Sequence, residues 1–522
     1  MPIPSKTRAV LQGFFLLLFL FILWPPLFYN QPVPGLDTSW NIAIHLAYKY
    51  HLVFGKDFVF TYGPLGILET RLPISINIWV YLFFDLYFMV TFVMVVRSIF
   101  REHFGVGSII FLYVCFALAT YKFQDQWYFL FFLYFLFSFL KKGGLVAICQ
   151  AAILSVICFY FKVSLGVTAI FLFLAGTGYA LIYRKMLLRN FIILIGSYLV
   201  GIVLLAGLLH VNLKGYLTTS LQLINDYNDA MYSPVGSEYY IFLIAALLVL
   251  LFAGYWLIVH GIAWLGKREW RTSPDEIFIY AIVTLGLFVS FKSAFVRSDA
   301  HMHMFFKGAG PFVALFYLFS SGKQSRIIAA VACWVVLAIS GWVLNELPAS
   351  YLPLNRLANF SIFRFKLDEV RNYFHGIGSY ADAVRRSDSL DAVNNPYKAI
   401  IGNSTVDIVP VEISKIYFNG LHYDPRPVVQ SYAAYNESLD NLNSRKYGSA
   451  DAPEYILFTI SSIDDRQPYF DESRTKLAIL QHYDVVGRIA DDLLLRKRKT
   501  GNYLQALPQK DTVEISMGRM SG

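Results

Sequence analysis

Apolar residues in this chain collect into blocks separated by short polar and basic stretches. A block of roughly 20 apolar residues crosses a hydrocarbon core as one helix. Eleven such spans are predicted, at roughly 9–28, 76–98, 105–121, 125–140, 143–161, 164–183, 190–210, 239–261, 276–292, 302–320 and 326–346. Two of the intervening stretches, 29–75 and 211–238, are long and partly polar. In the first, Trp40, Ala43, Ile44 and Ala47 recur at helical spacing; in the second, Leu217, Leu221, Ile224 and Tyr227 do so. Each pattern predicts an amphipathic helix lying at the membrane surface. After about residue 350 the pattern changes. Short β-rich runs appear at Lys398–Ile401, Val428–Gln430, Tyr455–Thr459 and Asp492–Leu495, with helical segments around 367–386 and 474–482. The fold class that follows is a polytopic α-helical membrane protein, about eleven transmembrane helices over 1–348, with a C-terminal extracytoplasmic α/β soluble domain over 349–522.

Composition agrees with this division. The 522 residues are 57% hydrophobic and 17% aromatic, and only 15% are charged. A soluble domain carries about 25% charged residues. The net charge of +9 does not point to nucleic acid, because most Lys and Arg before the last third sit in clusters between apolar blocks. With the N-terminus in the cytoplasm, every loop assigned inside carries basic residues: Arg97/Arg101, Lys141/Lys142, Arg184/Lys185/Arg189, Lys267/Arg268/Arg271 and Lys323/Arg326. That bias orients membrane proteins. The opening apolar run ends in Trp24-Pro25-Pro26 with no small-residue cleavage site, so it reads as a retained span. Cys115, Cys149, Cys158 and Cys333 lie inside apolar blocks and show no metal spacing. The expected location is a bacterial inner membrane, with the lipid bilayer as partner.

This topology leaves most polar groups capable of chemistry on the extracytoplasmic side. Asp37 could act as a general base toward an acceptor hydroxyl, or Asp37-Thr38-Ser39 could cap the helix that follows. Asp57, in Gly55-Lys56-Asp57-Phe58, is a second acidic candidate, or a turn carboxylate paired with Lys56. Lys292, Arg297 and His301 could hold a phosphate as it gathers charge, with Lys122 and Lys162 as further candidates at the ends of spans. The bland alternatives are lipid headgroup contacts and snorkelling. His301 and His303 beside Asp299 invite a metal, but the ligand set is incomplete. Asp226 and Asp229 could bind an acceptor or a metal, or simply form a solvated helix face. A divalent cation, Mg2+ or Mn2+, stays open as a cofactor. Asp85, mid-span in the second helix, is a functional candidate by its depth or a structural hydrogen-bonding group.

An acidic residue soon after the first span, then a helix, then Tyr62-Gly63-Pro64-Leu65-Gly66 before the second span resembles the GT-C superfamily of membrane glycosyltransferases. This superfamily includes protein O-mannosyltransferases and the enzymes that add aminoarabinose to lipid A. Asp37 matches its first-loop acid, and Tyr62 to Gly66 its aromatic/His-Pro-Pro-Leu turn. The usual adjacent second acid is replaced by Thr38. The chain also looks similar to a group of bacterial membrane proteins of unassigned substrate that share its stretches 55–66, 295–301 and 425–435. The resemblance implies inverting transfer of a sugar from a polyprenyl-phosphate donor to a glycan, lipid or protein acceptor. Asp37 would be the base, and Lys292, Arg297 and His301 would hold the departing phosphate. A transporter or flippase of lipid-linked saccharides, or a non-catalytic envelope assembly factor, is the alternative.

Overall fold

The computed structural model describes residues 5–22, 24, 27–103, 124–231, 239–265, 273–299, 301–320, 327, 331, 361–389, 396–464 and 466–499. The predicted third span, all of the eleventh but residues 327 and 331, and Lys122 lie outside the described residues. The helices are α1 (Ser5–Ile22), α2 (Leu36–Lys49), α3 (Ile78–His103), α4 (Gln124–Lys142), α5 (Leu145–Phe161), α6 (Val163–Ile182), α7 (Leu188–Leu208), α8 (Leu213–Ile224), α9 (Tyr239–Leu265), α10 (Pro274–Ala294), α11 (Met302–Phe319) and α12 (Ser361–Asp388). Among the described residues, α3, α6, α7, α9, α10 and α11 each contain a stretch long and apolar enough to cross a membrane, and α5 is a shorter apolar helix. The chain is an integral membrane protein.

Charged residues mark the two ends of the bundle. At one end Lys142 pairs with Glu102, Lys141 with Glu276 at 3.2 Å, and Lys185 with Asp275 at 2.5 Å. At the other, Lys162 pairs with Asp125 at 3.2 Å. Glu102 and Lys142 close α3 and α4 at the same end, so these two run parallel, whereas α4, α5 and α6 alternate in direction.

The expectation of a surface helix at 40–47 is corrected. Residues Ile42 to Ala47 of α2 are all buried, so the helix is covered on every side. One cover is the turn 61–72, where His45 Nε2 lies 2.8 Å from Thr70 Oγ1. The other is the C-terminal sheet region, to which Tyr50 donates through its hydroxyl at the Leu421 carbonyl, 3.1 Å away. In α8 the apolar stripe of Leu217, Leu221 and Ile224 is exposed, as a lipid-facing helix requires.

The sheet comprises β1 (Thr405–Val409), β2 (His422–Tyr423), β3 (Tyr455–Phe458), β4 (Tyr483–Ile489) and β5 (Asp492–Lys497), in the order β2-β1-β3-β5-β4. The first three are parallel; β5 runs antiparallel to β3 and β4 antiparallel to β5. Helices α13 (Glu437–Tyr447) and α14 (Ser473–His482) pack with them. Two strand expectations fail. Residues Pro396–Ile401 are a short helix, opened by proline and ended at Gly402, whose φ is +62°. Val428 makes only an isolated parallel bridge, to Val59, and its own N–H and carbonyl are taken by the Asn443 side-chain amide, at 2.8 and 3.0 Å.

The intramembrane carboxylate is a lock. Asp85 in α3 receives both terminal nitrogens of Arg71 and the hydroxyl of Tyr373 in α12, and Arg71 and Asp85 are buried. This ties the first long loop and the C-terminal half to the bundle. Removing one partner of a buried pair strands the other charge, at a cost of about 3–5 kcal/mol. Asp85→Ala should therefore lose about that much stability in detergent unfolding, and Arg71→Met with Asp85→Leu should regain most of it. A single variant as stable as wild type would contradict the lock.

Candidate functional site

Gly35 opens α2 at φ 134° and ψ 167°, a conformation that glycine tolerates and other residues rarely adopt. It has no side chain to cap the helix. Thr38 turns back to donate from Oγ1 to the Gly35 carbonyl at 3.0 Å. Asp37 therefore sits inside the first turn rather than at the cap, and its side chain is exposed. Among the described residues, nothing forms a hydrogen bond or ion pair with this carboxylate. A negative charge there is favoured by the helix dipole.

One turn on, Trp40 stacks on Tyr62 with ring centroids 4.8 Å apart and planes 10° from parallel. The Lys162 ammonium lies 4.7 Å from the Tyr62 ring centroid and 3.2 Å from both the Tyr62 hydroxyl and Asp125 Oδ2. The turn is seated on the junction of α5 and α6: Gly63 N–H donates to the Phe161 carbonyl at 3.0 Å, and Val163 N–H to the Thr61 carbonyl at 3.0 Å. A Cβ on Gly63 would come within 2.5 Å of the Tyr160 carbonyl oxygen, so the glycine permits the approach.

A second cationic cluster lies between α10 and α11. Arg297 donates to Asp299 at 2.8 Å and forks onto both oxygens of Asp464 at 2.8 and 3.0 Å. Asp299 also accepts from the His301 backbone N–H at 2.9 Å and lies 2.5 Å from His301 Nδ1. Burial works against the Asp299 charge, but the His301 N–H and Arg297 outweigh it and bring its carboxyl down to about 2. The Arg297 fork likewise holds Asp464 below the usual carboxylate range.

The start of α2 lies beside the first cluster. Trp40 reaches Lys162 through Tyr62. On the other side, Tyr432 of the C-terminal region senses Asp37, Tyr227 and Asp464 together; burial first, then these groups, push its phenol up. Tyr432 donates to Gln430 Oε1 at 2.7 Å, and Gln430 Nε2 to the Leu36 carbonyl at 3.3 Å.

The other candidates are placed as follows. Asp57 accepts from Val53 N–H at 3.1 Å and faces Lys56 at 3.5 Å, which makes it a turn carboxylate. Lys292 is exposed in the last turn of α10. His303 sets its ring 5.3 Å from that of Phe242. Asp226 is exposed at φ 62°, opening the short helix Tyr227–Ala230, and the Asp229 side chain lies outside what is described. Among the described residues, no group of three or more His, Cys, Asp or Glu gathers to hold a metal ion. Sequence reasoning left out Glu412, Gln430, Tyr432 and Asp464. The polar pair Gln430-Ser431 inside an otherwise apolar and aromatic run was the available signal for one of the four, Gln430.

No family model matches the chain, and no curated protein matches it. Among solved structures, it is similar to ArnT from Cupriavidus metallidurans bound to undecaprenyl phosphate, with 12% identity over 96% of this chain and 100% of that one, at a TM-score of 0.37. The apo state of the same protein matches at 12% identity over 94% and 98%, with a TM-score of 0.31. Likenesses this loose bear on neither the site nor its reaction.

The Asp299 carboxyl sits at about 2 against an ordinary 3.8, so it is depressed by folding. Its stabilising contribution is complete above about pH 4 and is lost as the pH falls through the folded value. The Tm difference between wild type and Asp299→Asn should be present at pH 7 and shrink below about pH 4. A difference that grows on acidification would contradict this assignment.

Proposed function

We propose that this protein is an inverting membrane glycosyltransferase of GT-C type, moving a sugar from a polyprenyl-phosphate donor to a glycan, lipid or protein acceptor on the extracytoplasmic face. The observation that carries the reading is the state of Asp37. Asp57, Asp125, Asp299 and Asp464 are each committed to a nearby cation, whereas Asp37 is exposed and uncommitted on a helix that packing holds in place. The resemblance of residues 30–75 to the GT-C superfamily supports the same choice.

In this mechanism the Asp37 carboxylate takes the proton of an acceptor hydroxyl as that oxygen attacks the anomeric carbon. The bond to the donor phosphate breaks on the opposite face, which inverts the centre. The phosphate leaves as an anion and needs cations more than an acid. Lys162 has three donors, of which Tyr62 and Asp125 take two, and its side chain is 29% exposed. His301 turns Nδ1 to Asp299, and when the ring is doubly protonated its Nε2–H would donate to a phosphate oxygen. Arg297, with its guanidinium shared between two carboxylates, serves as a tether for the loop that carries His301.

The test is sugar transfer by purified protein with a panel of synthetic polyprenyl-phosphate sugars. Wild type should release free polyprenyl phosphate, and Asp37→Asn should lower kcat by about a hundred- to ten-thousand-fold. Equal turnover by both proteins would remove Asp37 as the base. Absence of turnover with every donor, together with donor movement across proteoliposomes, would replace the enzyme with a transporter.

A further inference from the structure

Three hydrogen bonds from the C-terminal sheet region fall on the first turn of α2, around Asp37. Glu412 Oε1 accepts from Gly35 N–H at 3.1 Å, Ser414 N–H donates to Ser39 Oγ at 3.2 Å, and Gln430 Nε2 donates to the Leu36 carbonyl at 3.3 Å. Ser39, Ser414 and Gln430 are buried. A helix that begins at glycine leaves its first N–H groups without a side-chain cap. Glu412 takes one of the N–H groups that open the helix, that of Gly35 itself, from 377 residues away. Its oxygen is steadied by the Ser414 hydroxyl, which donates to it at 2.5 Å.

Behind these contacts stands one side chain. Arg426 is fully buried and donates to the Ile408 and Pro410 carbonyls at 2.7 and 2.8 Å and to Ser431 Oγ at 3.1 Å. It therefore fixes the strips that carry Glu412 and Gln430. Glu472 and Asp407, equally buried, hold the guanidinium at 3.1 and 3.4 Å. Breaking a pair inside such a network leaves a buried charge unpaired, which makes the platform rigid.

We infer that Glu412 and Gln430 are positioning residues for the reaction, and that the C-terminal sheet region completes the active site by fixing the start of α2 and so the Asp37 carboxylate. This rests on Asp37 being the base. A reacting group displaced by about 1 Å loses on the order of a hundredfold in rate, so a platform that sets the helix start governs turnover without touching substrate.

The experiment uses the full chain in detergent and compares Glu412→Ala, Gln430→Met and the conservative Glu412→Gln, with the surface variant Arg385→Ala as control. Hydrogen exchange is read over Gly35–Trp40, over Ile42–Ala47 and over β3, alongside donor turnover with the polyprenyl-phosphate sugar panel. Each of the first two variants should speed exchange at Gly35–Trp40 by about tenfold or more, since each removes about one hydrogen bond. The other two segments should be unchanged, kcat should fall, and KM for the donor should hold. Glu412→Gln keeps an acceptor oxygen and should restore most of both readouts. Unchanged exchange at Gly35–Trp40 would overturn the inference, and so would faster exchange spread evenly over β3, which signals general loosening. Local loosening as expected in a protein that turns over no donor would overturn the enzymatic role and leave the platform as a structural support.

Discussion

Helix α2 begins at a glycine that brings no capping side chain, and the N–H of that glycine is held by Glu412, 377 residues further along. The first long loop is thereby bound to two partners at once. Its turn at Tyr62 to Gly66 sits on the junction of α5 and α6, while the start of α2 sits on the C-terminal sheet region. Either contact alone would leave a short helix with a frayed first turn. Together they bury Ile42 to Ala47 completely and hold one exposed carboxylate at a defined place.

Cations and carboxylates around that place are arranged so that charge is spent locally. Lys162 is held by Asp125, Arg297 by Asp299 and Asp464, and His301 by Asp299. In the proposed reaction, groups held in this way are already oriented before the donor arrives, so little reorganisation would be needed when a phosphate gathers charge. The cost is that Arg297 cannot release its fork without leaving two carboxylates behind. For that reason the proposed reaction would use Lys162 and His301, rather than Arg297, to meet the donor phosphate.

Much of the membrane part was legible because spans of apolar residues have few alternatives; the stretches within α3, α6, α7, α9, α10 and α11 fall where hydropathy puts them. The strands β3 and β5 were also visible, as runs of β-branched, leucine and aromatic residues. β1 was not, because Asp407 interrupts Thr405–Val409; its carboxylate pairs with the Arg426 guanidinium and accepts from the Tyr447 hydroxyl, contacts that no local window contains. Residues Val485 and Val486 of the edge strand β4 are exposed, so its pattern has no buried face to read. At the site, Asp37 was visible from its place after the first span. Its neighbours Glu412, Gln430 and Tyr432 were not, since they are set by tertiary contact across most of the chain. The reading of Asp37 as a cap failed for a local reason: glycine precedes the helix by one residue and takes the capping position itself.

The account stands on a sugar donor meeting Asp37 at the start of α2. The most direct measurement is a cryo-microscopy structure of the Asp37→Asn protein in lipid with a polyprenyl-phosphate sugar bound. The account predicts sugar density beside residue 37, between Trp40 and Tyr432, with the phosphate against Lys162 or His301. Density for the sugar deep between the membrane helices, remote from α2, would contradict it.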